Sequence, residues 1–484
     1  MRLCSKEVLL STGEYGPAGP SSMVMHKYHG KMPQLRGNTI PIIEKHMLSV
    51  LRKQGFDLEV DRDNKSVVSE DQLYTALSLY NDPVDLSYTE SLHVGIDSAW
   101  KVFGGERELD MLTDPMQIKS ALELEKSSGA PLYTSKGNAF LKDLRRSQRI
   151  IAGSKRAVSP CTAYHRVQHG PEGPKTRLVW GYPLSMTMVE ASVARPLIDH
   201  FLSARTPMAF GLRRDALMAR TTTISNANVR VGLDFSKFDS SLKPHLIKTA
   251  FAILRTHFAE DEQIDKVFRI VMDYFIHTPI IMPDGYVYKK HQGVPSGSYF
   301  TQMIDSICNY ILIQSIYHEV TGFTIHKDDI LVLGDDSLFG TIDYLPVSKF
   351  SELGKKYRVK INVDKSEVSR FGSPFHFLGH SWESGIPHRP ETDLIKRLVF
   401  PEKVAGIDDD RTRRLTRAVG LAGDAAEGNN LLNYLGVSHR QIYFSGVDFL
   451  AEKIGNGWIS HRRSGYLTVP SGTCWSSGIG AGNG

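Results

Sequence analysis

Asp335 and Asp336 stand side by side in the apolar run LVLGDDSLFG, residues 331–340. Asp234 ends a second apolar run, VRVGLD, and Asp239 follows five residues later. Adjacent carboxylates repel, and burying an ionised one without a partner is costly. Acids gathered at strand ends therefore need a compensating cation, and hard oxygen donors select Mg²⁺ or Mn²⁺. Two such ions roughly 3.5–4 Å apart can clamp the attacking and leaving oxygens of a phosphoryl transfer. If the strands ending at Asp234 and Asp335 are neighbours, the acids meet at one point.

The elements that would hold them are legible. VRVGLDFSKFDSSL (229–242) reads as a strand leading into a helix, and Leu246, Ala250 and Leu254 mark one face of the next helix. TPIIMPDGYVYKKH (278–291) reads as a hairpin turning at Pro283-Asp284-Gly285. Residues 297–320 read as a helix, and DILVLGDDSLFGTI as two strands joined at Gly334-Asp335-Asp336. LPVSKFSELGKKY reads as a helix, RVKINVDKSEVS as strand and turn, and PFHFLGHSWES as a strand pair. This order suits an antiparallel sheet backed by helices on one side. Residues 40–56 and the chain after 390 read mainly as helix, and 136–156 as a basic helical segment.

The chain has 484 residues, 41% hydrophobic and 23% charged, as in ordinary folded proteins, with a net charge of +5. That bias is compatible with a polyanion partner without requiring one. Cys4, Cys161, Cys308 and Cys474 are too scattered for a zinc spacing or a disulfide framework, which fits a reducing compartment. No signal peptide and no apolar span of membrane length is expected.

DFSKFD (234–239), GVPSGSYFT (293–301) with Asn309, and GDD (334–336) resemble, in order, motifs A, B and C of viral RNA-dependent RNA polymerases. KTRLVWG (175–181) resembles motif F, SSGAPLY (127–133) motif G and NVDKSE (362–367) motif D, while HFLGH (376–380) sits where motif E belongs. The wording PSGSYFT and GDDS is most similar to the partitivirus–picobirnavirus group of double-stranded RNA viruses. The resemblance implies an α+β right hand of fingers, palm and thumb. Residues 1–228 would form an N-terminal segment and fingers, 229–245 palm, 246–285 a fingers insertion, 286–385 palm, 386–470 thumb and 471–484 a flexible tail.

Carried over motif by motif, the resemblance implies that Asp234 and Asp335 are the principal ligands of two Mg²⁺ (or Mn²⁺) ions, with Asp336 auxiliary. Lys365 would be the motif D lysine, either a general acid to pyrophosphate or electrostatic help. Lys175 and Arg177, two apart on a strand and so facing one way, would clamp the triphosphate. Asp239, Ser296, Gly297 and Thr301 would line the nucleotide. Many positive-strand relatives read the ribose 2′-OH with an asparagine four residues after this threonine. Here that place holds Asp305, so Asp305 and Asn309 are both candidates. Ser127, Ser128, Gly129 and Pro131 would guide the template. The implied partners are single- and double-stranded RNA, nucleoside triphosphates and a viral capsid protein, without a membrane, in the host cytoplasm inside the virion. A two-metal nuclease could use the same acids but has no need of Lys175, Arg177 or the Ser296-Gly297 loop. A reverse transcriptase would carry an aromatic residue ahead of the paired acids and lack this motif F. An RNA-binding scaffold with an inactive palm would be expected to have lost one of the three acids.

Overall fold

The structure, a computed structural model, describes residues 23–32, 43–56, 70–82, 84–170, 173–400, 417–421 and 426, with backbone alone for 167–170 and 173–176. The expected tail, most of the expected thumb, Cys4 and Cys474 lie outside these residues.

Five strands form the first sheet, in the order β1 (Val24–Lys27), β7 (Tyr286–Lys289), β6 (Pro279–Ile281), β2 (Cys161–Gly170) and β3 (Gly173–Gly181). β2 and β3 are a long antiparallel hairpin, and β2 joins β6 in parallel through Cys161 opposite Ile280. The expected hairpin at 278–291 is present as β6–β7, with Pro279 opposite Lys289. The domain boundary expected between 285 and 286 therefore falls inside a hairpin whose two strands both belong to this sheet.

The second sheet has four antiparallel strands: β11 (Glu367–Arg370), β4 (Val229–Leu233), β9 (Asp336–Thr341) and β8 (Ile330–Leu333). β4 is buried along its whole length, as a central strand must be. It nevertheless carries Arg230, 1% exposed, whose guanidinium donates to the carbonyls of Ser225, Arg370 and Ser373. Carbonyl acceptors thus take up the terminal N–H groups of a cation that burial would otherwise make costly, while its Nε has no partner. Beyond Leu233 the chain crosses into a short pair, β5 (Phe235–Ser236) with β10 (Lys360–Ile361). A three-stranded unit, β12 (Phe375–Phe377), β13 (His380–Glu383) and β14 (Ile386–His388), completes the expected strand pair near 375–385.

Helices position this sheet. In chain order those used below are α1 (Lys45–Lys53), α2 (Glu90–Phe103), α3 (Lys136–Ile151), α4 (Leu184–Ser203), α5 (Pro244–Arg255), α6 (Glu262–Ile276), α7 (Thr301–Thr321) and α8 (Glu391–Val399). α7 is buried from Met303 to Tyr317, so it is enclosed on every side rather than along one stripe, and it carries polar residues into the interior. It packs on α2, α5 and β8. The face of α5 read from sequence is internal, with Leu246, Ala250 and Leu254 all buried. α3 is the expected basic helix, with Phe140 and Ile150 on its buried side. α1 packs on α8 in a separate small core, where Leu48 and Leu51 meet Leu394 and Leu398.

Candidate active site

The β8–β9 hairpin turns through Gly334 and Asp335, and Leu333 pairs with Asp336 across it. Gly334 has φ +63°, a backbone state that a side chain disfavours. The turn is held from below by α7. Ser306 Oγ accepts the Gly334 N–H at 2.9 Å, and the Asn309 amide donates to the carbonyls of Gly334 at 2.9 Å and Asp336 at 3.3 Å. Asn309, expected as a reader of the ribose, thus has its amide committed to the motif C turn.

Leu233 lies opposite Ser337, so the next residue, Asp234, comes to the same end of the sheet as Asp335 and Asp336. Its backbone is fixed by motif D. The Asp234 N–H donates to Ser366 Oγ at 2.9 Å, and the Asn362 N–H donates to the Asp234 carbonyl at 2.8 Å. Between β10 and β11 the chain loops out over 362–366, opposite the single step from Leu233 to Phe235, and Lys365 is exposed on that loop.

The carboxyls act on one another. Burial, then Asp335 and Asp234, pushes Asp336 up to about 6. The protein packed around the turn raises Asp335, as does Asp234, while Arg177 opposes the rise. Asp239 is pushed up to about 6 by burial and by Asp335, again opposed by Arg177. Arg177, exposed on β3, therefore joins the first sheet to the acids of the second. The backbone of Lys175 lies on the same strand, opposite Gln168, and its side chain is outside the described set. Asp305 is buried, with Oδ1 unpartnered, and is raised well above the carboxylate range by burial and by Asp239 and Asp335. Its favourable charge is Lys290, itself fully buried with Nζ donating to the carbonyls of Ile276, Gln292 and Gly293.

The motif B loop lies against β3. Ser296 Oγ accepts the Trp180 N–H at 3.2 Å. A Cβ on Gly297 would stand 1.9 Å from the Trp180 carbonyl oxygen, so only glycine fits there without a shift. Thr301 Oγ1 donates to Pro295 O at 2.7 Å and closes the loop onto the helix start. Ser296 and Gly297 are exposed. In the motif G segment Ser127 is exposed and Pro131 half-buried, whereas Ser128 and Gly129 are buried. The Ser128 carbonyl accepts the Leu184 N–H at 2.8 Å, so this residue holds the loop to the chain after β3.

Among the described residues no three acid, histidine or cysteine side chains already converge as a metal shell. The donor set nevertheless fits a hard dication: at one sheet end Asp234 raises the proton affinity of Asp335, and both raise that of Asp336, a repulsion that a positive ion between them would relieve. The sequence reading missed Glu190 of α4, whose carboxylate takes hydrogen bonds from Ser298 and Tyr299. Its one signal was a lone acid in LSMTMVEASVARPL.

Residues 56–402 match the family model for viral RNA-dependent RNA polymerase. The chain belongs to that family. Curated relatives of this chain include proteins named RNA-directed RNA polymerase. One, from Cryptosporidium parvum virus 1 (strain KSU-1), is 29% identical over 311 residues, covering 57% of this chain and 57% of the relative. Another, from White clover cryptic virus 1 (isolate Boccardo/2004), is 28% identical over 183 residues, covering 35% of this chain and 29% of the relative. These relatives agree with the resemblance to the partitivirus–picobirnavirus group. Among solved structures, the RNA-dependent RNA polymerase of a human picobirnavirus superposes with a TM-score of 0.64 at 17% identity, over 90% of this chain and 89% of that one. The polymerase fold is thus shared well beyond what sequence identity records, and the α+β right hand expected from the motifs is the fold observed. No helix among the described residues is long and apolar enough to cross a membrane.

Proposed function

We propose that this protein copies RNA templates, joining nucleoside triphosphates by two-metal nucleotidyl transfer in viral genome replication and transcription. The observation that carries the reading is the meeting of Asp234, Asp335 and Asp336 at one sheet end, with the charge of Arg177, on another sheet, acting on Asp335. Asp234 and Asp335 would hold Mg²⁺ or Mn²⁺, with Asp336 beside them. Bound there, the ions would make the primer 3′-oxygen more nucleophilic and neutralise charge on the departing pyrophosphate.

The chain's own residues supply the rest. The oxygen attacks the α-phosphorus, and the bond to the pyrophosphate breaks. Arg177 presents a charge-assisted clamp to the triphosphate, stronger where negative charge develops. Lys175 on the same strand is proposed as its companion, and Lys365 as donor of a proton or of positive charge to the pyrophosphate. Asp239 is proposed to accept the ribose hydroxyl. With the Asn309 amide nitrogen held on the turn and its Oδ1 unpartnered, Asp305 is the preferred motif B partner in that task, with Asn309 as the alternative. Ser296, Gly297 and Thr301 would frame the nucleotide, and Ser127 and Pro131 would border the template path, with Ser128 and Gly129 as its support. Single- and double-stranded RNA are the proposed partners, bound through phosphate contacts that weaken with salt. Work in the host cytoplasm inside the virion, beside capsid protein, belongs to the same proposal and is tested by cosedimentation with capsids.

The deciding experiment incubates the protein with single-stranded RNA, four ribonucleotides and Mg²⁺. Template-length product is expected. Shortened RNA would favour a nuclease, and retention without turnover a scaffold.

A further inference from the structure

Beneath the Ser296-Gly297 loop lies an ionisable group that the reaction leaves without a task. Glu190 is completely buried. Its Oε1 accepts from Ser298 Oγ at 2.8 Å and its Oε2 from the Tyr299 N–H at 2.9 Å. These donors are the two residues that follow Gly297. On its other flank the loop is tied to β3 by Ser296 and Trp180. The Tyr299 hydroxyl extends the tie, donating to Ala121 O at 2.5 Å in the segment that leads to Ser127. Tyr182, its hydroxyl buried, faces the same carboxyl from the chain just after β3. Two residues further on, Leu184 holds the Ser128 carbonyl.

An acid here is a costly way to fill space, because an apolar side chain would avoid its desolvation. What it adds is a pair of directed acceptors at a fixed point. The groups facing it are Tyr182, Cys161 of β2, Tyr274 of α6, and Ser298 and Tyr299 just ahead of α7. None of these carries a positive charge.

We propose that Glu190 is a positioning residue that fixes the motif B loop against β3 and so sets the geometry of the nucleotide and template side of the site. This rests on the polymerase reading for its effect on synthesis, though not for its effect on the loop. Burial pushes the carboxyl up to about 8, so the anchor is neutral near neutral pH and takes on a buried charge above that. The loop then loosens at alkaline pH, and an uncharged isostere removes this response.

The test compares wild type with Glu190→Gln, Glu190→Ala and Ser298→Ala, which disturbs the anchor from the loop side if Glu190→Ala does not fold. Two readouts are taken at about pH 7 and about pH 9, on either side of the ionisation. One is hydrogen exchange of the peptide spanning 293–300, each variant against wild type at matched pH. The other is kcat and KM for nucleotide in template-directed synthesis. Ser298→Ala and Glu190→Ala should speed exchange in the loop and lower kcat by about tenfold, the effect of losing one or two buried hydrogen bonds. Glu190→Gln should recover most of that loss and show a smaller alkaline rise in exchange than wild type. If wild type makes RNA while all the variants match it in loop exchange and kcat, or if Glu190→Gln keeps the full alkaline response, the assignment of Glu190 fails and the polymerase reading stands. If wild type makes no RNA, the polymerase reading fails, and loop exchange alone decides for or against Glu190.

Discussion

Burial raises Glu190 in one region of this molecule and Asp335 and Asp336 in another, yet the two sites differ in what completes them. Glu190 is enclosed and has its hydrogen bonds. Asp234, Asp335 and Asp336 stand at an open sheet end, where Asp234 raises Asp335 further and both raise Asp336. The first arrangement is finished by the chain itself and acts by holding a loop. The second is electrostatically incomplete, and a group in that state is suited to recruiting a cation and a substrate. Burial alone therefore does not mark an acid as catalytic; the repulsion left unrelieved does.

The contrast can be broken most directly at the open end. Asp335→Ala is expected to abolish RNA synthesis while leaving RNA retention intact, because metal binding needs the carboxylate and RNA affinity comes from cations. Gel retention and primer extension on one preparation check this; surviving synthesis would remove Asp335 from the site. Arg177→Ala should cost about 2–4 kcal/mol in kcat/KM for nucleotide, as does losing a donor aimed at developing charge. A change in template affinity alone would instead put Arg177 on the RNA path.

Smaller effects sharpen the comparison. Asp239→Ala should lower the ribo-to-deoxyribonucleotide ratio by roughly tenfold to a hundredfold, the cost of about 1–3 kcal/mol for one lost polar contact. Asn309→Ala should reduce kcat and thermal stability with little change in that ratio, since its amide holds the turn. A collapse of the ratio in Asn309→Ala would return sugar reading to that residue.

At the enclosed site the measurable quantity is stability against pH. The unfolded carboxyl titrates at about 4.5 and the folded one at about 8, so between them the folded chain holds a proton the unfolded chain has lost. Stability is thus fully present below the lower value, falls through the window by up to about 1.4 kcal/mol per pH unit, and levels off above the upper one. Glu190→Gln should flatten that slope in denaturant titrations, and an unaltered slope would mean that the carboxyl ionises freely. Ser366→Ala should cost the least, about 0.5–1.5 kcal/mol, by releasing the Asp234 N–H. Restoration of kcat in Ser366→Thr, which keeps the hydroxyl, would separate that bond from packing.

Much of the site was legible because its motifs are local. The Gly334-Asp335 turn between apolar strands, the strand ending at Asp234 and the helix after Ser296 each announce themselves within about a dozen residues. Contacts between distant segments were not legible. Nothing near Asn309 points to the carbonyls of Gly334 and Asp336, and nothing near Gly297 to the Trp180 carbonyl. The parallel pairing of Cys161 with Ile280 is equally non-local. Glu190 was hidden in α4 because a helix buried on nearly every side from Leu184 to Ala194 has no polar face against which one acid would stand out.

The bond between Asp234 and Ser366 joins residues 132 positions apart. During synthesis on the ribosome, the strand that ends in Asp234 emerges long before the loop that fastens it. β11, which forms one edge of that strand's sheet, arrives later still, at Glu367–Arg370. Contacts of such long sequence separation close late, after their loop entropy has been met by other structure. A nascent chain that stops short of about residue 370 would display the DFSKFD and GDD segments without their fastening, until translation had passed the edge strand of this sheet.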